Sequence, residues 1–164
     1  MRIDDRNQIS VGLGRIELTK PPGVLVSIGI GSCIALCLYH PITKTAGMAH
    51  IMLPEESEKL VSPDKPAKYA ELGVKNILKK FAERGIKNPR SLVAKIVGGA
   101  QLFIFKQVPN VGERNIRAVK KILNEYNIPI VGESVGGDFG RSVWFFAETG
   151  KVLIRSKFRN IIEI

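Results

Sequence analysis

Short apolar runs, bounded by Gly, Pro or polar clusters, fill the first third and the last quarter of the chain. Val24-Leu-Val-Ser-Ile28 is rich in β-branched residues and reads as a strand. Residues 11–19 before it are also strand-like, and Lys20-Pro-Pro-Gly23 between them is a turn. Ile34-Ala-Leu-Cys-Leu-Tyr39 is apolar on both faces, the pattern of a strand buried on both sides. His40-Pro-Ile-Thr-Lys-Thr45 has the composition of a connecting loop, and residues 46–53 read as the hairpin partner. Residues 1–10 are polar and are expected to fray.

Two stretches switch to a helical period. Over residues 66–84, Ala70, Val74, Ile77, Leu78 and Phe81 form one apolar stripe. Pro66 suits the first turn, Lys79, Lys80 and Arg84 the last, and Gly85 the stop. Over residues 113–126, Ile116, Val119, Leu123 and Tyr126 face inward. Residues 55–65 are charged, contain Pro63 and read as a loop. Further strands are expected at 92–97, ending in Gly98-Gly99, and at 128–135, 143–147 and 152–154. There is no internal repeat or linker. The pattern predicts one α+β domain over 1–164: a layered sandwich of mixed, mostly antiparallel sheet with two or three helices packed on it. The strands are mostly neighbours in sequence, so a regular βαβ alternation is not expected.

Composition narrows this picture. At 164 residues, 45% hydrophobic and 24% charged, the chain has the make-up of a globular domain with its own core. No segment reaches the roughly 18 apolar residues of a membrane span, and the N-terminus lacks a signal-peptide core. A cytoplasmic location without membrane insertion is expected. Two cysteines, Cys33 and Cys37, are too few for a disulfide framework. The net charge of +10 favours acidic partners. Its basic residues are spread along the chain, with no aromatic RNA-binding signature or zinc-finger spacing, which argues against nucleic acid.

The candidate chemistry lies at Cys33 and His50. A strand runs through Gly29 and Gly31 and delivers Cys33, and Met48-Ala-His-Ile-Met-Leu53 supplies an imidazole. If Tyr39 pairs with Ala46, Cys33 falls opposite Met52 and His50 lies diagonally across on the same face, roughly 7–8 Å away at the backbone. A thiol and an imidazole so placed are the minimum for a cysteine nucleophile, the imidazole taking up the thiol proton. Gly31 and Ser32 let a substrate carbonyl approach the backbone, with the Cys33 amide the first oxyanion donor. A third group usually fixes the base tautomer; Ser27 offers a hydroxyl and a carbonyl for this, and no carboxylate stands near His50 in sequence.

Other readings fare less well. Cys37, mid-strand among Ala35, Leu36 and Leu38, reads as core. Cys33, Cys37, His40 and His50 do not match the tight spacings of a tetrahedral zinc site, so no metal is expected. Gly31-Ser32-Cys33 differs from the Gly-x-Ser-x-Gly elbow, whose nucleophile is serine. His40, before Pro41, is expected to be exposed.

Several blocks carry a family resemblance: Ser27-Ile-Gly-Ile-Gly-Ser-Cys33, Leu38-Tyr-His-Pro41, Gly47-Met-Ala-His-Ile-Met-Leu-Pro54, Lys95-Ile-Val-Gly-Gly-Ala100, Asn110-Val-Gly-Glu-Arg-Asn115 and Gly136-Gly-Asp-Phe-Gly-Arg141. In this order they resemble the CheD family of chemoreceptor glutamine deamidases. The resemblance implies an amide hydrolase that converts receptor glutamines to glutamate with release of ammonia. It puts the nucleophile at Cys33, the base at His50 and the third catalytic position, usually threonine, at Ser27. It implies no cofactor, a layered fold related to the cytotoxic necrotizing factor catalytic domains, and two partners: chemoreceptor cytoplasmic helices and a CheC-type phosphatase. Two alternatives stand beside it: a non-catalytic regulatory binding module for the phosphatase, and a general cysteine hydrolase such as a protease.

Overall fold

The computed structural model describes residues 5–55, 64–103, 110–157 and 159–164. Among these, ten strands form two five-stranded sheets. The first sheet contains β1 (Gln8–Ser10), β3 (Val24–Ile30), β8 (Arg141–Phe146), β9 (Val152–Ser156) and β10 (Arg159–Glu163), in that order. The second runs β2 (Ile16–Thr19), β5 (Thr45–Ile51), β4 (Ile34–His40), β6 (Val93–Gly98) and β7 (Ile130–Val135). Helices α1 (Ala70–Glu83) and α2 (Val111–Glu125) cover the outer face of the second sheet. The fold is therefore the expected α+β sandwich, in three layers.

The apolar patterns explain the layers. Every residue of β4 and β5 is buried, because these strands lie between the helices on one face and the first sheet on the other. Leu36, Leu38, Ala49 and Ile51 meet Val74, Ile77 and Phe81 of α1 and Val119 and Leu123 of α2. Ala35, Cys37, Tyr39, Ala46 and Met48 face the other way, onto Leu25, Val143, Phe145 and Ile154. Both sheets mix directions: β1–β3 and β6–β7 are parallel and the other pairs antiparallel. The β6–β7 pair is joined through α2, a single βαβ unit within an otherwise hairpin-built fold.

Two expectations need correction, and one strand was not foreseen. Gln8–Ser10 does not fray; it pairs with Val24–Val26 on the edge of the first sheet. Residues 11–19 do not make one strand, because the chain turns at Gly12–Gly14, and Gly14 adopts a left-handed φ of 70°. The chain thereby passes from the first sheet into the second. The basic C-terminal segment forms β10, whose sequence gives little apolar signal on an exposed edge. Most of the expected 55–65 loop lies outside the described residues.

Candidate active site

The β3–β4 connection crosses from one sheet to the other and holds Gly31, Ser32 and Cys33. Three successive carbonyls of this turn are each held by one donor. Gly31 O accepts from Ala100 N at 3.0 Å and Cys33 O from Gly99 N at 2.8 Å. Ser32 O accepts from Asn115 Nδ2 at 2.8 Å. In a trans peptide the following N–H points opposite to the carbonyl. The Cys33 N–H is therefore turned away from Asn115, toward its own sulfur.

This fit requires glycine. Gly98 has φ of 122°, and a β-carbon there would lie 2.2 Å from the Cys33 carbonyl oxygen. Before the turn, a bulge in β3 between Ser27 and Ile30 leaves Ile28 exposed at the rim.

The hairpin register is the expected one. Tyr39 pairs with Ala46, and Ala35 with His50. Cys33, two residues before Ala35, packs partly buried against the inter-sheet core on the face that His50 shares. His50 is 4% exposed and reaches across to the first sheet. Its Nδ1 lies 3.4 Å from Ser27 Oγ and 3.4 Å from the Val11 carbonyl oxygen. Ser27 donates its own hydroxyl to that same carbonyl at 2.5 Å. With the Ser27 proton committed to a group that only accepts, Nδ1 faces two acceptors and carries the imidazole proton. Nε2 is then the basic nitrogen. It is buried, with no hydrogen-bond partner among the described residues.

Burial dominates the electrostatics. It pushes the Cys33 thiol up, its backbone N–H opposing. It pushes the His50 imidazole down, the Val11 carbonyl opposing. Both shifts favour neutral groups, so the resting pair is thiol and imidazole. Desolvation is the largest cause of both shifts, and only backbone groups oppose it.

Of the predicted site residues, Ser27 and His50 are joined directly, and Cys33 lies on the same face with no hydrogen bond to His50 Nε2. Gly31 and Ser32 form the anchored turn. Two participants escaped the sequence reading. The Val11 carbonyl leaves no trace in residue type. Asn115 stands in a block already singled out, and a polar residue four positions before Val119 on the inward face of the helix is the signal that could have found it. Cys37 is core, its thiol raised by burial. His40, expected to be exposed, is buried, with Nδ1 2.7 Å from Thr43 Oγ1 inside its own turn.

The comparisons with known proteins agree with the sequence blocks. A family model described as CheD chemotactic sensory transduction matches residues 52–156. Chemoreceptor glutamine deamidase CheD of Thermotoga maritima is 44% identical, over 88% of this chain and 89% of its own. Probable chemoreceptor glutamine deamidase CheD of Caldanaerobacter subterraneus is 40% identical, over 90% and 92%. The relative of that name, without the qualifier, from Halalkalibacterium halodurans is 40% identical, over 95% and 98%. Among solved structures, the Bacillus licheniformis hypothetical protein YfiH aligns with a TM-score of 0.47 and 14% identity, over 73% of this chain and 49% of its own. Matched almost from end to end by relatives of one name, the chain belongs to the CheD family.

Proposed function

We propose that this protein deamidates glutamine side chains of chemoreceptors, with Cys33 as nucleophile, His50 as base and Ser27 setting the base's tautomer. The reading takes its substrate from the relatives' names. The observation that carries it is the orientation of His50: Nδ1–H is engaged by Ser27 and Val11, leaving Nε2 basic and unpartnered on the Cys33 face.

The reaction follows from that geometry. Nε2 accepts the Cys33 proton as the sulfur attacks the glutamine Cδ. The oxyanion is stabilised by backbone amides of the anchored turn, the Cys33 N–H first among them. His50, now cationic, protonates the leaving nitrogen, and ammonia departs from a thioester. Water, deprotonated by His50, hydrolyses that thioester to glutamate and restores the thiol. The balance is glutamine plus water to glutamate plus ammonia. Beside Ser32 a groove of 180 Å³ is lined by Ala100, Leu102, Phe103, Val111 and Gly112. Leu102 and Phe103 are exposed there, which suits a glutamine projecting from a receptor helix. We extend the proposal to a CheC-type phosphatase as the second partner, on the family resemblance.

Incubation of receptor with the protein should release ammonia and add about one dalton per modified glutamine, the mass difference of NH₂ and OH, with no chain cleavage. Cys33→Ala should lose this activity by more than roughly a thousandfold while remaining folded. Retained ammonia release in Cys33→Ala would overturn the assignment.

A further inference from the structure

We infer that Asn115 is a positioning residue for the deamidation: its carboxamide locks the peptide preceding Cys33 to the end of the strand bearing His50. This rests on the roles proposed for Cys33 and His50. Asn115 sits one turn into α2 and is 0% exposed. Its Nδ2 has two protons. One goes to Ser32 O at 2.8 Å, the other to Met52 O at 3.0 Å. Ser32 immediately precedes Cys33, and Met52 lies two residues beyond His50. Continuing the β4–β5 register places Met52 opposite Cys33, so the amide staples the open end of that hairpin.

The helix is built to bring the amide there. A β-carbon at Gly112 would lie 2.4 Å from Ala100 O and 2.5 Å from Gly99 O. At Gly99, with φ of 67°, a β-carbon would lie 2.4 Å from Ile116 Cγ1. Two backbones approach this closely only because both positions are glycine. The Ser32 bond also sets which way the Cys33 N–H faces. Loss of Asn115 therefore frees the Ser32–Cys33 peptide to rotate and takes the amide donor off the sulfur and the oxyanion.

A merely structural amide would lower stability and nothing else. The test compares Asn115→Leu with Val119→Ala, one turn further along α2 in the apolar core. Two quantities are read: kcat and KM on receptor, and the pH dependence of Cys33 alkylation by iodoacetamide. Cys37 is 1% exposed, so alkylation of the folded protein reports Cys33. Asn115→Leu should lower kcat roughly 100-fold with KM little changed, and move the alkylation profile to higher pH. Val119→Ala should lose stability but keep both per folded molecule. Should Asn115→Leu not fold, Asn115→Thr keeps one donor and should show an intermediate loss of kcat. A wild-type kcat and alkylation profile in the folded Asn115 variant overturns the positioning role. Alkylation needs no receptor, so that outcome leaves Cys33→Ala to judge the deamidase reading separately.

Discussion

At the scale of the residue, the site turns on which nitrogen of His50 carries the proton. Ser27 donates to Val11 and leaves its lone pairs to Nδ1, so a hydroxyl is enough for the role. The proposed role asks only a hydroxyl of position 27, which serine and threonine both carry. Burial lowers the His50 affinity for protons, and the proposed mechanism needs Nε2 unprotonated. Activity is lost as pH falls through the imidazole's own value, so the acid limb of kcat/KM should lie below the ordinary histidine value of about 6.5. A pH–rate profile checks this; a midpoint above that value would contradict a desolvated base. That Cys33 and His50 share a face was legible in the sequence, because strand alternation and the hairpin register align them. The second acceptor was not, since any residue at position 11 offers a carbonyl.

At the scale of the element, the turn at Gly31–Cys33 is held by the loop after β6, and Gly98 is the closest point of that contact. Gly98→Ala places a methyl on the Cys33 carbonyl and requires a left-handed φ. It should cost more than about 1 kcal/mol of stability, measured by denaturant titration. It should also lower turnover at least tenfold, since the displaced carbonyl belongs to Cys33, the proposed nucleophile. The helices and the β4–β5 register were readable, the first from a 3.6-residue stripe and the second from a short loop fixing the pairing. The edges were not: β10 and the β1-to-β2 crossing depend on which sheet lies nearby, and local pattern says nothing of that.

At the scale of the whole molecule, the inter-sheet core runs from the Cys33 turn to the far end of β4, where Tyr39 closes it. Tyr39, six residues along β4 from Cys33 and so about 20 Å away, donates its hydroxyl to Ala147 O at 2.7 Å and meets Phe145 edge-on. Tyr39→Phe leaves that carbonyl unpaired and should cost about 1–2 kcal/mol, with kcat unchanged; a matched stability and turnover measurement checks it. Surface ion pairs such as Lys44–Glu148 and Lys151–Glu163 are exposed and contribute little. The positive surface was visible in composition, but no count of charges says where the groove beside Ser32 opens.

The two sheets divide the proposed catalytic residues between them: Ser27 stands on β3, His50 on β5, and Cys33 on the segment crossing from one to the other. Each sheet alone is a sound piece of ladder, yet neither holds a working site. The site is thus a vernier between two plates, legible only when they are aligned. Slippage of the plates by less than a side chain's width would leave every strand intact and the enzyme silent. Catalysis by these three residues would measure the fit of the sandwich more finely than folding itself does.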